Sequence, residues 1–320
     1  KGYNYTIGVP VAQNVQTGAN YATLAEAVAA AEAGQTVQML KDIVLTNSVV
    51  VDKDITLDLN SKNITVDANW AGVSPTKQAA IYVKSGAELI LNDTGNNGSI
   101  DTSANTGVYS AISLTIGSGN NDESKLAELV VNGGTLKGYY YGVVTNGTRH
   151  NTKITVNGGT LTGAHPLDGT SIYHPCKGEL IINGGNFIGS DGISIKGGTV
   201  TINDGNFEAT MAFNDPEAPI YSGSESVGAA LYLEDNYNHA AKVTINGGKF
   251  KAIDDAPAVF MKFEGNPAST IDISGGHFST APDADYVAEG KAVIGDTAEY
   301  KEKGYNYTIG VPVAQNVQTG

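Results

Sequence analysis

The chain has 320 residues, enough for one large core or two ordinary ones, with 41% apolar and only 16% charged side chains. Forty Gly and ten Pro mark it as β-rich and turn-rich, which excludes a helical bundle and a disordered tail. A net charge of −14 with a single Arg, Arg149, excludes nucleic-acid binding, which needs clustered Arg and Lys against phosphates, and disfavours docking on anionic lipid.

The sequence contains no apolar run of spanning length, so no membrane insertion is expected, and no basic-then-apolar leader opens it. Cys176 is the only cysteine, which rules out an intrachain disulfide and a zinc cluster. An acidic, Gly-, Asn- and Thr-rich chain with almost no thiols points to an extracellular or cell-surface bacterial protein.

The opening segment, KGYNYTIGVPVAQNVQTG at 1–18, recurs unchanged at 303–320, an offset of 302 residues. Identical copies have no structural reason to persist inside one compact fold. The simplest explanation is one full period of a tandem array plus the start of the next, with a duplicated tag as the alternative. On this basis 1–18 is the end of a preceding repeat, with a strand over 1–9 presenting Tyr3, Tyr5 and Ile7 on one face and a linker over 10–19. The module itself is 19–311, and 312–320 leads to the next repeat.

A capping helix is expected over 21–33. Thr23 and Glu26 form a capping box, Leu24, Val28 and Ala31 make one apolar face, and Gly34 stops the helix. It should lie across the first coil. Strands over 36–42 and 55–60 then start the sheets.

A shorter repeat follows: a strand ending in Asn, a Gly-rich turn, then an apolar residue. The copies are VVNGGTLKG, TVNGGTLTG, IINGGNFIG, TINDGNFEA, TINGGKFKA and ISGGHFST, with looser versions at LDLNSKNIT and LILNDTGNNGS. Lead positions Asn60, Asn92, Asn132, Asn157, Asn183, Asn203, Asn246 and Ser274 are spaced by 32, 40, 25, 26, 20, 43 and 28 residues. A variable period of this size, built only of short strands and turns, predicts a β-solenoid. Coil stacking puts Asn above Asn at a corner, and Leu136, Leu161, Phe187, Phe207, Phe250 and Phe278 above one another inside. Gly-Gly supplies the positive φ of the corner. Over 285–311 the rhythm breaks, predicting a hairpin-like β cap whose last strand, 303–311, carries Tyr305, Tyr307 and Ile309 on one face.

The order of helix YATLAEAVAAAEAG, then TVQMLKDI, ITLDLNSKNITV, serial INGG-x-F coils, and GGHFST before DYVAEG resembles the right-handed parallel β-helix modules of large bacterial surface proteins. Those belong to the pectate-lyase-like superfamily. The resemblance implies an all-β fold in a cell-surface setting. It leaves function open, because the fold carries both polysaccharide-cleaving enzymes and inert stalks.

Pectate lyases of this fold hold Ca²⁺ on acidic side chains and use an Arg as base. Here Arg149 has no acidic cluster at matching points of neighbouring coils. Galacturonases use NTD, a DD pair, GHG and RIK in order. Asp254–Asp255 is the only such pair between coils, the GGH at His277 belongs to the repeat, and RIK is missing. No catalytic residue is therefore assigned, and a polysaccharide lyase or hydrolase is the alternative reading.

Between Arg149 and Lys177 lie His150, His165, Asp168, His174 and Cys176. His150 and His174 are about one coil apart and could bind a transition metal with Asp168. The preferred alternative is solvated polar loops with Cys176 buried as a small hydrophobe, so no metal site is assigned. A thioester between Cys176 and a Gln has no supporting motif.

NDTGNNGSID, GSGNNDES, EDNYN and NDPEAP offer oxygens to Ca²⁺ without an EF-hand or nonapeptide pattern, and solvated turns explain them more simply. Trp70 with Tyr139, Tyr140 and Tyr141 could form a sugar platform, with half of the Tyr run expected to point inward. Thr-x-Thr ladders are absent in register. The function expected is a non-catalytic structural repeat of an extracellular stalk, fibre or adhesin. Its partners would be neighbouring copies joined head to tail, with glycan binding as a further alternative.

Overall fold

The structure is a computed structural model and describes residues 8–70, 78–114, 122–147, 151–214, 225–234, 239–262 and 268–312. It is an all-β parallel β-helix. Among the described residues, sheets A and B each have 11 strands and sheet C has eight. Two strands of A and two of B belong to the caps, which leaves nine stacked coils. At about 4.8 Å per strand the coils span roughly 38 Å.

Each coil runs from A through a corner to B and then to C, except that the last has no C strand among the described residues. Alternation decides the faces. Along Ala127–Val131 and Thr152–Val156 every second side chain is buried, so Leu129, Val131, Ile154 and Val156 point inward while Glu128 and Lys153 pair outside at 2.9 Å. In sheet B a single interior column runs through Ile64, Ile100, Leu136, Leu161, Phe187, Phe207, Phe250 and Phe278, each in register with the next and at most 1% exposed. The four Phe rings stack nearly parallel, with centroids 4.6, 4.7 and 5.1 Å apart. Ile100 fills this column in a coil whose turn lacks the Gly-Gly pattern.

Both ends carry covers. Helix α1 (Leu24–Ala30) has the full Thr23/Glu26 capping box and buries Leu24, Ala27 and Val28, chiefly over the first strand of sheet C. It ends short of the expected residue 33. Ala31 is already extended, and Lys53 Nζ takes the carbonyls of Ala29 and Ala31 at 2.9 and 3.3 Å. The segment expected as a linker, 10–19, instead folds onto the module. Ala12–Asn14 pairs antiparallel with Gln35–Met39, the first strand of sheet A, and with Asn20–Tyr21, and Ala12 is fully buried. An apolar Val11–Ala12 pair and the Asn14 side chain, which accepts from the Gln16 and Thr17 amides, make a hairpin rather than free chain. The expected strand over 1–9, with Tyr3, Tyr5 and Ile7, lies mostly outside the described residues.

At the far end a hairpin of Ala292–Gly295 and Tyr307–Gly310 extends sheet B. The expected strand over 303–311 starts only at Tyr307, because its first residues cap α2 (Ala298–Glu302) and turn away from it. Lys303 is the helix C-cap and Gly304 turns away at φ 87°. Glu299 and Lys303 bond at 2.7 Å across one helical turn.

Candidate functional site

At the corner between sheets A and B the amides form an exposed ladder. Each Nδ2 donates to the Oδ1 of the preceding coil, from Asn132 to Asn92, Asn157 to Asn132, Asn183 to Asn157, Asn203 to Asn183, all at 2.8 Å, and Asn246 to Asn203 at 2.9 Å. Asn60 is not a member. Asp58 stands in register with Asn92, and Asn60, at φ 49°, donates its side-chain amide to Met39 O. The reason is local: Asp58 Oδ1 accepts the Asn60 and Thr94 amides and tightens that turn.

The candidate metal ligands do not assemble. Asp168 faces His165 at 3.3 Å, and His174, expected outside, is fully buried at the end of an inward-facing strand. His150 and Arg149 lie outside the described residues, and among those described no three His, Cys, Asp or Glu form a metal-binding group. His174 packs on Cys176, with Sγ 3.8 and 3.9 Å from the ring nitrogens and Nε2 3.2 Å from Gly178 O. Burial pushes the Cys176 thiol up, and His174 more than offsets this, bringing it down to about 6. Both side chains are inaccessible, so neither meets a substrate.

Of the calcium loops, the one at 92–101 spends its buried carboxylate on the backbone. Asp93 Oδ1 accepts from Ser61 N at 2.8 Å and Oδ2 from Gly98 N at 2.6 Å. The other three lie partly outside the described residues. Trp70 is core, at 6% exposed. All three of Tyr139, Tyr140 and Tyr141 are half-buried at an outer corner, rather than half of the run pointing inward. Tyr139 and Tyr140 form the turn itself, so strand alternation does not govern them. Their rings meet each other at 4.8 Å, and Tyr140 meets Tyr109 at 5.3 Å and His165 at 5.0 Å.

The ends of the solenoid hold the most distinctive surface. Of the eleven exposed large apolar residues among those described, seven lie there: Val9, Val15, Val44 and Val50 at one end, Ile294, Tyr307 and Val311 at the other. At the leading end, sheet A is covered by the Ala12–Tyr21 hairpin and sheet C by α1, but no described strand pairs with the outer edge of Ile43–Leu45, the first strand of sheet B. A groove of about 480 Å³ opens there, lined by Val11, Leu24, Ile43, Val44, Leu45 and Lys41 among others. Lys41 Nζ donates to Val9 O at 3.1 Å and so fixes the entering chain beside it.

The trailing cap is tied down more fully. Asp296 Oδ2 is 2.6 Å from His277 Nδ1, the Tyr300 ring stacks on His277 at 3.5 Å, and Thr308 Oγ1 donates to Gly276 O at 2.7 Å. Ile309 is buried, Tyr305 is half-buried ahead of the strand, and Tyr307 is 37% exposed, so the three do not share one environment. No described strand pairs with the outer edge of its outermost strand, Ala292–Gly295, either. Sequence reasoning missed both open edges. The signal available was the apolar Val44 and Ile294 beside positions that no repeat motif claims. Compared with known proteins, the chain matches no family model, no curated protein and no solved structure.

Proposed function

We propose that residues 10–311 are one period of a tandem structural array, a non-catalytic repeat of an extracellular bacterial stalk, fibre or adhesin joined head to tail. One observation carries this. The two copies of the duplicated segment serve opposite ends: in the trailing copy Tyr307–Gly310 closes the solenoid, and in the leading copy Ala12–Asn14 opens it. These are different parts of the same 18-residue sequence. The offset of 302 residues therefore equals one capped unit, and the duplicate straddles a joint. A role that grows with copy number, such as reach, suits such a unit.

The test is a chain of three periods studied by small-angle scattering and thermal melting. A rod lengthening evenly with each period, with no loss of melting temperature, is expected. Independent, randomly oriented units or a failure to fold would overturn it. A second reading, carbohydrate binding, draws on the outward Tyr109, Tyr139 and Tyr140 rings and is tested on a glycan array with Tyr140→Ala as control.

A further inference from the structure

We infer that the groove beside Ile43–Leu45 is the seat for the trailing cap of the preceding copy, whose Ala292–Gly295 strand adds to sheet B so that the sheet runs unbroken through the joint. This rests on the array reading and specifies its contact.

Chain reach requires the two caps to touch. Gly310 ends the trailing strand, and Ala314 is the counterpart of Ala12, which starts the leading strand, so three residues, Val311, Pro312 and Val313, join them. Four Cα steps cover at most about 14 Å, roughly three strand spacings. Pro312 stiffens even this, since its φ is fixed.

The leading end shows where that short connection arrives. Val9, the counterpart of Val311, accepts from Lys41, and Val11 N donates to Tyr21 O at 2.8 Å. Lys41 stands two residues before Ile43. The end of the preceding trailing strand is thereby held at the start of the unpaired edge.

Strand directions agree. Tyr307–Gly310 is antiparallel to both His277–Phe278 and Ala292–Gly295, so Ala292–Gly295 runs parallel to the coil strands of sheet B. Ile43–Leu45 is parallel to its own neighbour, Asn63–Val66. Placed coaxially, the two free edges form a parallel pair like every coil pair in the sheet. Gly310 is opposite Ala292, which puts the outgoing chain at the end of the pair where Lys41 waits. Faces agree as well: Val293 and Ile43 pack inward, while Ile294 and Val44, 41% and 60% exposed, both point out and would cover each other. Joining two unpaired edges and several exposed apolar side chains in one contact removes the liability that each end carries alone. The contact is heterologous and does not close, so it propagates.

The experiment uses a two-period chain, residues 1–302 followed by 1–320, with Ile294→Cys in the first period and Val44→Cys in the second. Cys176 is buried and does not compete. A short bismaleimide spanning about 8 Å reaches both a direct and a diagonal cross-strand neighbour. Cross-linking is expected to be at least about tenfold faster than in the reversed chain, with Val44→Cys in the first period and Ile294→Cys in the second, where the two residues sit at the far ends. Scattering should show the longest dimension growing by about 53 Å over one period, eleven strands at about 4.8 Å. Equal cross-linking in the two chains, with the rod still lengthening, overturns the seat and leaves the array intact. A second period that fails to melt cooperatively, or to extend the rod, overturns both.

Discussion

The interior column of sheet B and the outer face of sheet C are both buried, but for different reasons. In sheet B one inward position per coil is apolar from Ile64 to Phe278, and stacking alone closes it off from water. Sheet C also has buried strands on its outward side, where Tyr82, Ser113, Val144, Tyr173, Ser194 and Tyr232 lie in register. Around Tyr232 that face is covered by the segment that precedes the strand: Val227 and Ala229 pack on Tyr232 with Phe260 alongside. Asp191 fixes the cover, its Oδ1 accepting from the amides of Val227, Gly228 and Ala229 at 3.1, 2.8 and 3.0 Å. Burial by stacking needs only the right apolar residue once per coil. Burial by an insertion traps polar groups, and each then needs its own partner.

Lys196 and Glu234, both fully buried and ion-paired, are the sharpest case on sheet C. Lys196→Met takes away the ammonium that the Glu234 carboxylate pairs with, and a loss of about 3–5 kcal/mol is expected in urea melts. Phe207→Ala should cost about the same, roughly 3–5 kcal/mol, through a cavity between two stacked rings. The two differ in rescue. Adding Glu234→Leu to Lys196→Met should recover most of the loss, since the stranded charge is gone. If Lys196→Met costs under about 1 kcal/mol, the outer face of sheet C is wetter than its burial indicates and the comparison fails.

The same contrast decides what could be read in the sequence. From Leu136 to Phe278 the column residues recur four places after each lead position, so the coil, its corner and its interior are visible in INGGNFIG and TINGGKFKA alone. Asn60 misled because LDLNSKN also offers an Asn before an apolar residue, and only the register of Asp58 with Asn92 separates them. Lys196, Glu234 and Asp191 follow no period, so nothing local announces that Asp191 will meet a loop 36 residues on or that Lys196 will pair with Glu234. Helix α2 is legible in principle from Thr297, the Glu299–Lys303 spacing and Gly304, but its five residues are too few to set a helical period against the strand-like alternation that begins just after it. Residues 10–19 read as a linker because a strand of three residues, Ala12–Asn14, leaves too little pattern to count.

Asp191 gives the next effect in size. Burial pushes its carboxyl up, the Val227, Gly228 and Ala229 amides oppose this, and the result is a value of about 7 against an ordinary 3.8. A carboxyl raised on folding binds its proton more tightly in the native state, so its contribution is full below about pH 4 and is lost as pH rises to about 7. The native chain should lose up to a few kcal/mol over that window relative to Asp191→Asn, whose side chain does not titrate. Parallel stability curves for the two proteins between pH 4 and 8 would show that Asp191 is ionised throughout.

The corner glycines test stacking itself. Only the second Gly of each pair has positive φ, 113° at Gly185, while Asp204 occupies the first place in its coil. Gly185→Ala forces a strained backbone and puts a Cβ 3.1 Å from Gly159 O, so a loss of about 1–3 kcal/mol is expected. Gly184→Asp, copying residue 204, keeps an ordinary φ although its Cβ lies 3.2 Å from Asn157 O, so it should cost less, under about 1 kcal/mol by thermal melt. Equal costs would mean that the turn tolerates no side chain at either place.

The smallest effect belongs to the exposed amide ladder, where stacking is repeated but burial is absent. Asn183 donates to Asn157 and accepts from Asn203, both at 2.8 Å, and every donor in the row points toward the preceding coil. Asn183→Ala breaks both bonds, but the freed groups return to water, so the net loss should be about 1 kcal/mol. Asn183→Asp keeps the acceptor for Asn203 and sets a carboxylate against the Asn157 oxygen, an arrangement without a donor between them. It should therefore be less stable than the Ala variant at pH 7. Below about pH 4 the protonated Asp regains a donor and the order should reverse. A loss above about 3 kcal/mol for Asn183→Ala would place the ladder with the Phe column as a determinant of the fold, and the distinction between stacking with and without burial would be lost.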